Sequence, residues 1–286
     1  MHPGLGKRLI SAAVIVAFVL AAAIWFPASV LLLIMVGISA VATLEFYAFL
    51  DEAGIPNFNI VGVIAGALLH VVTWYTYYNP SCISADQAEI FILLGMTVFV
   101  VIRTFPQKNN VKPIDTIAGT LLGFLYVPFL FNFLVRLLMG WPSGEGRLLI
   151  IYMLLVVKWT DGGAYFVGCA CGKHKLFPRI SPAKTWEGLM GGLGTGALVS
   201  LIVYFACGGN LGVVSFDLVD AIILGVLLGI FGTVGDLAES MFKRAAGVKD
   251  SSKAIRGMGG ILDVIDSILF AAPLIYVYAR LFLAAN

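Results

Sequence analysis

Apolar residues run through this 286-residue chain in long stretches, broken by short clusters of charge, Pro, Gly and Asn. The two-residue alternation of a half-buried strand is missing, and so is the charged face of a soluble amphipathic helix. A hydrocarbon core takes about 20 apolar residues per helix. Nine stretches of that order can be drawn, at about 9–27, 29–50, 60–78, 88–105, 117–139, 148–168, 189–207, 219–236 and 261–283. The stretch 88–105 carries Glu89 and Arg103 near its ends. The pattern predicts an all-α, polytopic integral membrane protein of about nine transmembrane helices. Residues 9–27 have the small-residue run Ala21-Ala22-Ala23 of a cleavable leader. Their apolar run continues to Phe26, beyond the ~7–15 residues of a leader's apolar core, and so reads as a retained first span. No internal repeat or soluble second domain is visible. The organisation expected is N-terminal transmembrane helices over 1–140 and a region with the longer basic loops over 141–286, in one continuous membrane domain.

Composition agrees: 60% hydrophobic and 12% charged residues exclude a soluble domain of this length. The net charge of +2 says little, but its distribution sets a topology. Lys and Arg in short loops stay on the cytoplasmic side. With the N-terminus inside, every Lys and Arg except Arg136, Arg147, Lys158 and Arg280 falls on cytoplasmic segments. The acidic loop from Asp51 to Asn59 argues weakly the other way. The C-terminus is then outside. Cys82, Cys169, Cys171 and Cys207 make no disulfide framework and read as small apolar packing residues. Cys169, Cys171 and His174 fall short of the four ligands of a zinc site.

Chemistry concentrates between Gly235 and Asp266, GDLAESMFKRAAGVKDSSKAIRGMGGILDVID. Asp236 and Glu239 are three apart, as are Asp263 and Asp266, a spacing that shares one face of a helix. Lys243, Arg244, Lys249, Lys253 and Arg256 lie between the two pairs. Carboxylates gathered at a membrane edge need a cation to offset their repulsion, and an oxygen-only donor set suits Mg²⁺. Asp236, Asp263 and Asp266 are the metal candidates, with Glu239 fourth. Gly257, Gly259 and Gly260 precede a helix start, where backbone amides can approach an anion. The bland alternatives are basic loops attracted to anionic lipid, acids that cap helices, and glycines in a mere turn. Gly168 to Lys173 is one residue short of a phosphate-binding loop, and Gly192 and Gly196 fit close helix packing better than dinucleotide binding. Asp161 lies late in the sixth span with Lys158 one turn earlier, a pair that can neutralise itself or shape a cavity. Glu45 in the second span has no evident partner.

The same stretch resembles the phosphatidate cytidylyltransferase (CDP-diacylglycerol synthase) family. Ser240, Lys243-Arg244, Lys249-Asp250, Gly257, Gly259-Gly260, Asp263 and Asp266 follow the order and spacing of its signature. The block from Gly172 to Gly188, GKHKLFPRISPAKTWEG, is similar to a second family motif, and Asp161 to Gly168 to a third. The resemblance covers about 158–270; the N-terminal half shares only a hydrophobic character. This chain has Met258 where the signature has His, Arg256 where it has Pro, and Val264 where it has Arg after the first Asp.

That resemblance implies transfer of a cytidylyl group from CTP to phosphatidate, giving CDP-diacylglycerol and diphosphate in phospholipid synthesis. Catalytic roles are implied for Asp236, Lys243, Arg244, Asp263 and Asp266. Substrate contacts are implied for Ser181, Lys184, Ser240, Lys249, Asp250, Arg256, Gly257, Gly259 and Gly260, with Mg²⁺ as cofactor. The expected partners are CTP, phosphatidate and membrane lipids, without nucleic acid, and a homodimer is the assembly to test. The active site is expected to face the cytoplasm, from the inner membrane if the cell is bacterial. With the signature His absent, the chemistry is expected to rest on the metal and the remaining charges. The alternatives are a transporter or lipid carrier with intramembrane ion-binding acids, and a related CTP-dependent enzyme acting on another lipid phosphate.

Overall fold

The computed structural model describes residues 25–79, 83–105, 112–141, 145–247 and 259–283. Among them, eight helices are long and apolar enough to cross a membrane. They are α1 (Ala28–Glu52), α2 (Asn59–Tyr78), α3 (Ala85–Thr104), α4 (Pro113–Met139), α5 (Gly146–Cys171), α6 (Trp186–Ala206), α7 (Leu218–Ala245) and α8 (Leu262–Leu281). The protein is thus the expected helical membrane type. Of the span expected at 9–27, all but the last residues lie outside the described part.

Local chemistry sets the helix ends. α1 stops at Gly54, whose φ of 70° takes the left-handed turn that glycine tolerates, and Ile55 N–H returns to Leu50 O at 2.8 Å. α3 opens on a capping box between Ser84 and Gln87. α4 opens with Pro113 in its first turn, where a missing N–H costs nothing. Within α4, Leu125–Phe129 widens to a π-turn around Pro128. Proline lacks the N–H and crowds the preceding turn, and the wider register accommodates both. α7 begins where the Asp217 and Asp220 side chains accept each other's backbone N–H, at 2.7 and 3.1 Å.

Two departures from the expected pattern bear on function. α7 continues to Ala245 instead of ending near 236, so Asp236 and Glu239 sit inside a helix rather than at its C-terminus. The block before α6, expected as loop, folds into an antiparallel hairpin of β1 (Lys175–Phe177) and β2 (Ser181–Thr185). A smaller hairpin pairs β3 (Asn210–Leu211) with β4 (Val214–Ser215).

The chain forms two compact units, residues 1–139 with 243–264 and residues 140–242 with 265–286. In the first, Tyr47 is 1% exposed and donates its hydroxyl to Thr120 O at 2.8 Å, with its ring between the glycines Gly62 and Gly123. A buried polar cluster ties α2, α3 and α4 together. Arg136 pairs with Asp86 at 2.6 Å and with Glu89, and Asn132 donates to Glu89 at 2.7 Å and to Thr73 at 3.0 Å. Glu89, which the sequence places near one end of the stretch 88–105, is therefore an internal ion-pair partner.

In the second unit, α5 and α6 pack closely along Thr160, Ala164 and Gly168 on one side and Gly188, Gly192 and Gly196 on the other. A Cβ at Gly192 would lie 2.8 Å from Thr160 O and 2.9 Å from Ala164 Cβ. Small residues every fourth position let backbones approach where lipid offers no hydrophobic drive for helix association. Cys169, Cys171 and Cys207 are exposed, so they do not fill the interior as the sequence suggests. Cys82 lies outside the described residues.

Gly192→Val is expected to cost about 1–3 kcal/mol by overpacking this seam. It should lower the thermal midpoint in detergent. Gly194→Ala, where nothing stands within 4 Å of the added Cβ, should leave the midpoint unchanged.

Candidate active site

α7 carries glycines at 225, 229, 232 and 235, a stripe along one face. At Gly235 an added Cβ would run into the carbonyl of Asp266 and lie 3.1 Å from Ser267 Cα. With no side chain between the two backbones, Asp236 and Glu239 on α7 come beside Asp266 on α8. One carboxylate oxygen from each of the three lies within 4.8 Å of the others. Glu239 is 1% and Asp266 7% exposed. At an effective dielectric of about 20, like charges at that distance repel by ~3 kcal/mol per pair. Positive charge would offset that repulsion, and three hard oxygen donors without His or Cys fit a divalent cation such as Mg²⁺.

Part of the offset comes from the chain. Lys184 Nζ stands 2.8 Å from Asp236 Oδ2, and Ser240 Oγ donates to Asp236 Oδ1 at 3.4 Å. Lys158 pairs with Asp161 at 3.6 Å, one of the two readings the sequence offers. It also donates to Ser267 Oγ at 3.0 Å, which ties α5 to α8 next to Asp266.

The hairpin explains how Lys184 reaches α7. β2 runs directly into α6, whose N-cap Thr185 accepts Gly188 N–H at 3.1 Å. Glu187 accepts Lys173 N–H at 3.1 Å, His174 N–H at 3.2 Å and shares a hydrogen bond with His174 Nδ1 at 2.6 Å. These bonds fasten the strand entry to the first turn of α6 and hold Lys184 one residue before the cap. His174 is thereby engaged by a carboxylate. Ser181 begins β2, half-buried and opposite Phe177.

A second constellation forms at the entry to α8, in the other compact unit. Asp263, the fourth acid, is engaged differently from the three above: Lys243 Nζ donates to its Oδ1 at 2.6 Å and Gly260 N–H to its Oδ2 at 2.6 Å. Gly259 takes φ 91°, and Asp263 packs where its Cβ would be. The anion on the Gly260 amide is thus a carboxylate of the chain itself. Ile261 N–H and Leu262 N–H donate to Glu45 of α1 at 3.2 and 2.8 Å. Ile261, at the N-cap position, has no side-chain acceptor, and the Glu45 carboxylate fills that role from a distant helix. A buried amide left without an acceptor costs about 1–3 kcal/mol, so the cap is significant. Arg244 is exposed in the last turn of α7. Lys249, Asp250, Arg256 and Gly257, with Met258, lie outside the described residues.

Sequence reasoning found the acids and missed three things: the Glu45 cap, the contact of Lys184 with Asp236, and Gly235 as the point of closest approach. The glycine stripe that leads to Asp236 was the available signal for the last. The uncapped Gly-Gly-Ile entry to α8 was the signal for the first.

These features define a polytopic helical membrane protein with clustered acids and lysines contributed by its helices and a hairpin. The description "Cytidylyltransferase family" matches residues 6–282, and the chain belongs to that family, as the motif resemblance suggested. A Staphylococcus aureus (strain COL) protein named phosphatidate cytidylyltransferase is 35% identical over 247 residues, covering 85% of this chain and 88% of its own length. A Haemophilus influenzae protein of the same name is 32% identical over 279 residues, covering 94% and 96%. One from Staphylococcus haemolyticus is 38% identical over 190 residues, covering 66% and 69%.

The gathering of the three carboxylates depends on Gly235. In Gly235→Ala, Mn²⁺ titrated into the purified protein should bind about 10-fold more weakly, the scale seen when residues that orient ligands are changed. Equal Mn²⁺ affinity in the two proteins would remove the cluster as the binding site.

Proposed function

We propose that this chain is a membrane-embedded phosphatidate cytidylyltransferase, converting CTP and phosphatidate to CDP-diacylglycerol and diphosphate. The observation that carries the reading is the cluster of Asp236, Glu239 and Asp266 with Lys184, in a chain of the cytidylyltransferase family. The names borne by its relatives supply the substrates. Neither the family nor those names favour a transporter.

In this reading an oxygen of the phosphatidate phosphate attacks the α-phosphorus of CTP. A new P–O bond forms, the bond from the α-phosphorus to the oxygen bridging the β-phosphorus breaks, and diphosphate leaves with that oxygen. A phosphate oxygen is already ionised near neutral pH, so the step needs little base assistance, and Met258 in place of the signature His is tolerated. Catalysis of this type rests mainly on positioning and charge. Asp236, Glu239 and Asp266 would hold Mg²⁺, and Asp263, engaged by Lys243 and the Gly260 amide, is a candidate acid of its own. When bound, Mg²⁺ supplies positive charge against the phosphate oxygens. Lys184, Lys243, Arg244 and Lys249 hold the triphosphate or the lipid phosphate. The resemblance adds Ser181, Ser240, Asp250, Arg256, Gly257, Gly259 and Gly260 as substrate contacts, of which the Gly260 amide is held by Asp263 in this structure. The concentration of Lys and Arg on alternate connections supports an active site facing the cytoplasm, from the inner membrane in a bacterium.

The test is radiolabelled CTP incubated with phosphatidate and Mg²⁺ in detergent. Lipid-linked CMP is expected; none with any divalent cation would overturn the reading. Asp263→Asn and Asp266→Asn should each lower turnover by at least ~10²-fold, a loss of ~3 kcal/mol of transition-state stabilisation. Near-parental turnover in both variants would put the metal and the chemistry elsewhere.

A further inference from the structure

Glu45 is an acid about two turns before the end of an apolar helix, 8% exposed, with Ala42, Phe46 and Tyr47 buried around it. A carboxylate there is expensive and marks a role by default. Its two oxygens accept the N–H groups of Ile261 and Leu262, at 3.2 and 2.8 Å. The next residue is Asp263, which reaches back to Gly260 N–H and forward to Lys243, both at 2.6 Å. Three successive amides at the start of α8 are therefore held by two carboxylates, one local and one from α1. Among the described residues leading into α8, Gly259, Gly260 and Ile261 carry no acceptor side chain that could take the Glu45 role. Gly259, at φ 91°, also leaves the entry free to take other backbone angles if the cap is lost.

We propose that Glu45 is a positioning residue for the reaction: by pinning the first turn of α8 it fixes the direction of the Asp263 carboxylate and its pairing with Lys243. The proposal rests on the cytidylyltransferase reading above. It places a requirement of the reaction on a helix far upstream of the signature. Glu45 does not touch the reacting atoms; it acts through the backbone that carries Asp263.

Two readouts test it together on the full-length protein in detergent. Hydrogen exchange reports on the cap without reference to activity, in peptides confined to 259–266. Turnover of radiolabelled CTP with phosphatidate reports on positioning. Glu45→Ala should speed exchange in that segment by about 10-fold or more while peptides from α5 and α6 keep the parental rate. Its kcat should fall by about 10-fold or more, with KM for CTP within about 3-fold, because orientation rather than binding is lost. Glu45→Gln keeps one carbonyl oxygen for an amide and should lie between the two. In an Asp263→Asn background, Glu45→Ala should lower kcat by less than 2-fold further, since its effect passes through Asp263.

Faster exchange with parental kcat would make Glu45 a structural cap and overturn the proposal. Unchanged exchange would overturn it as well, and so would fully multiplicative losses in the double variant. If Glu45→Ala does not fold, Glu45→Gln decides by the same two criteria. An inactive parent strikes at the cytidylyltransferase reading, whereas an active parent with Glu45 variants at its kcat strikes at this inference alone.

Discussion

The mutual repulsion of Asp236, Glu239 and Asp266 sets the terms for the residues around them. Each carboxylate could relieve it by turning away into solvent if its helix were free to shift. The backbone contact at Gly235 and the lysines on either side prevent that. Lys184 holds Asp236 from the hairpin, and Lys158 holds Ser267 beside Asp266. The protein thus keeps like charges together in a place where separation would be easier. The proposed function would supply both a metal and the phosphates it would neutralise at this cluster.

Helix packing in the same unit follows a single device. The seam of α5 with α6 and the stripe on α7 are rich in Gly, Ala and Thr, so several contacts fall on backbone atoms, as at Gly188, Gly192, Gly225 and Gly235. Backbone positions are fixed more narrowly than those of side chains with many rotamers. A site assembled from residues on several helices needs that accuracy, since small displacements of reacting groups are costly. Bulky apolar residues such as Leu33, Phe166 and Phe205 are mostly exposed and face outward, where a bilayer rather than the protein interior surrounds them.

How much of this was legible in the sequence depended on the range of each interaction. The helices followed from apolar run length, and the eight described ones match the expected stretches to within a few residues at most ends. The exception, the far end of α7, was misjudged because Asp236 and Glu239 break the apolar run without breaking the helix. Hydropathy marks where lipid stops, and hydrogen bonding marks where a helix stops. The hairpin was missed because its strands are short and polar. The acids were recognised by spacing, but spacing along one helix put Asp263 with Asp266. In the structure Asp266 meets Asp236 and Glu239, while Asp263 meets Lys243. Nothing in the neighbourhood of Glu45 names Ile261 and Leu262 as its partners, more than two hundred residues away.

The continuation of α7 past Asp236 also fixes a depth. A helix rising 1.5 Å per residue carries the chain ~27 Å from Leu218 to Asp236, close to the ~30 Å of a bilayer's hydrocarbon layer. With Leu218 at one face of that layer, Asp236 would stand near the other, at the level of lipid head groups, and the final turns of α7 would extend beyond it. A lipid whose phosphate lies at that level can arrive by sliding sideways within its own leaflet, with its acyl chains never leaving oil. A water-soluble nucleotide meets it from the other side of the same plane. The length of one helix thus lets a two-dimensional supply of one reactant and a three-dimensional supply of the other converge on a single height.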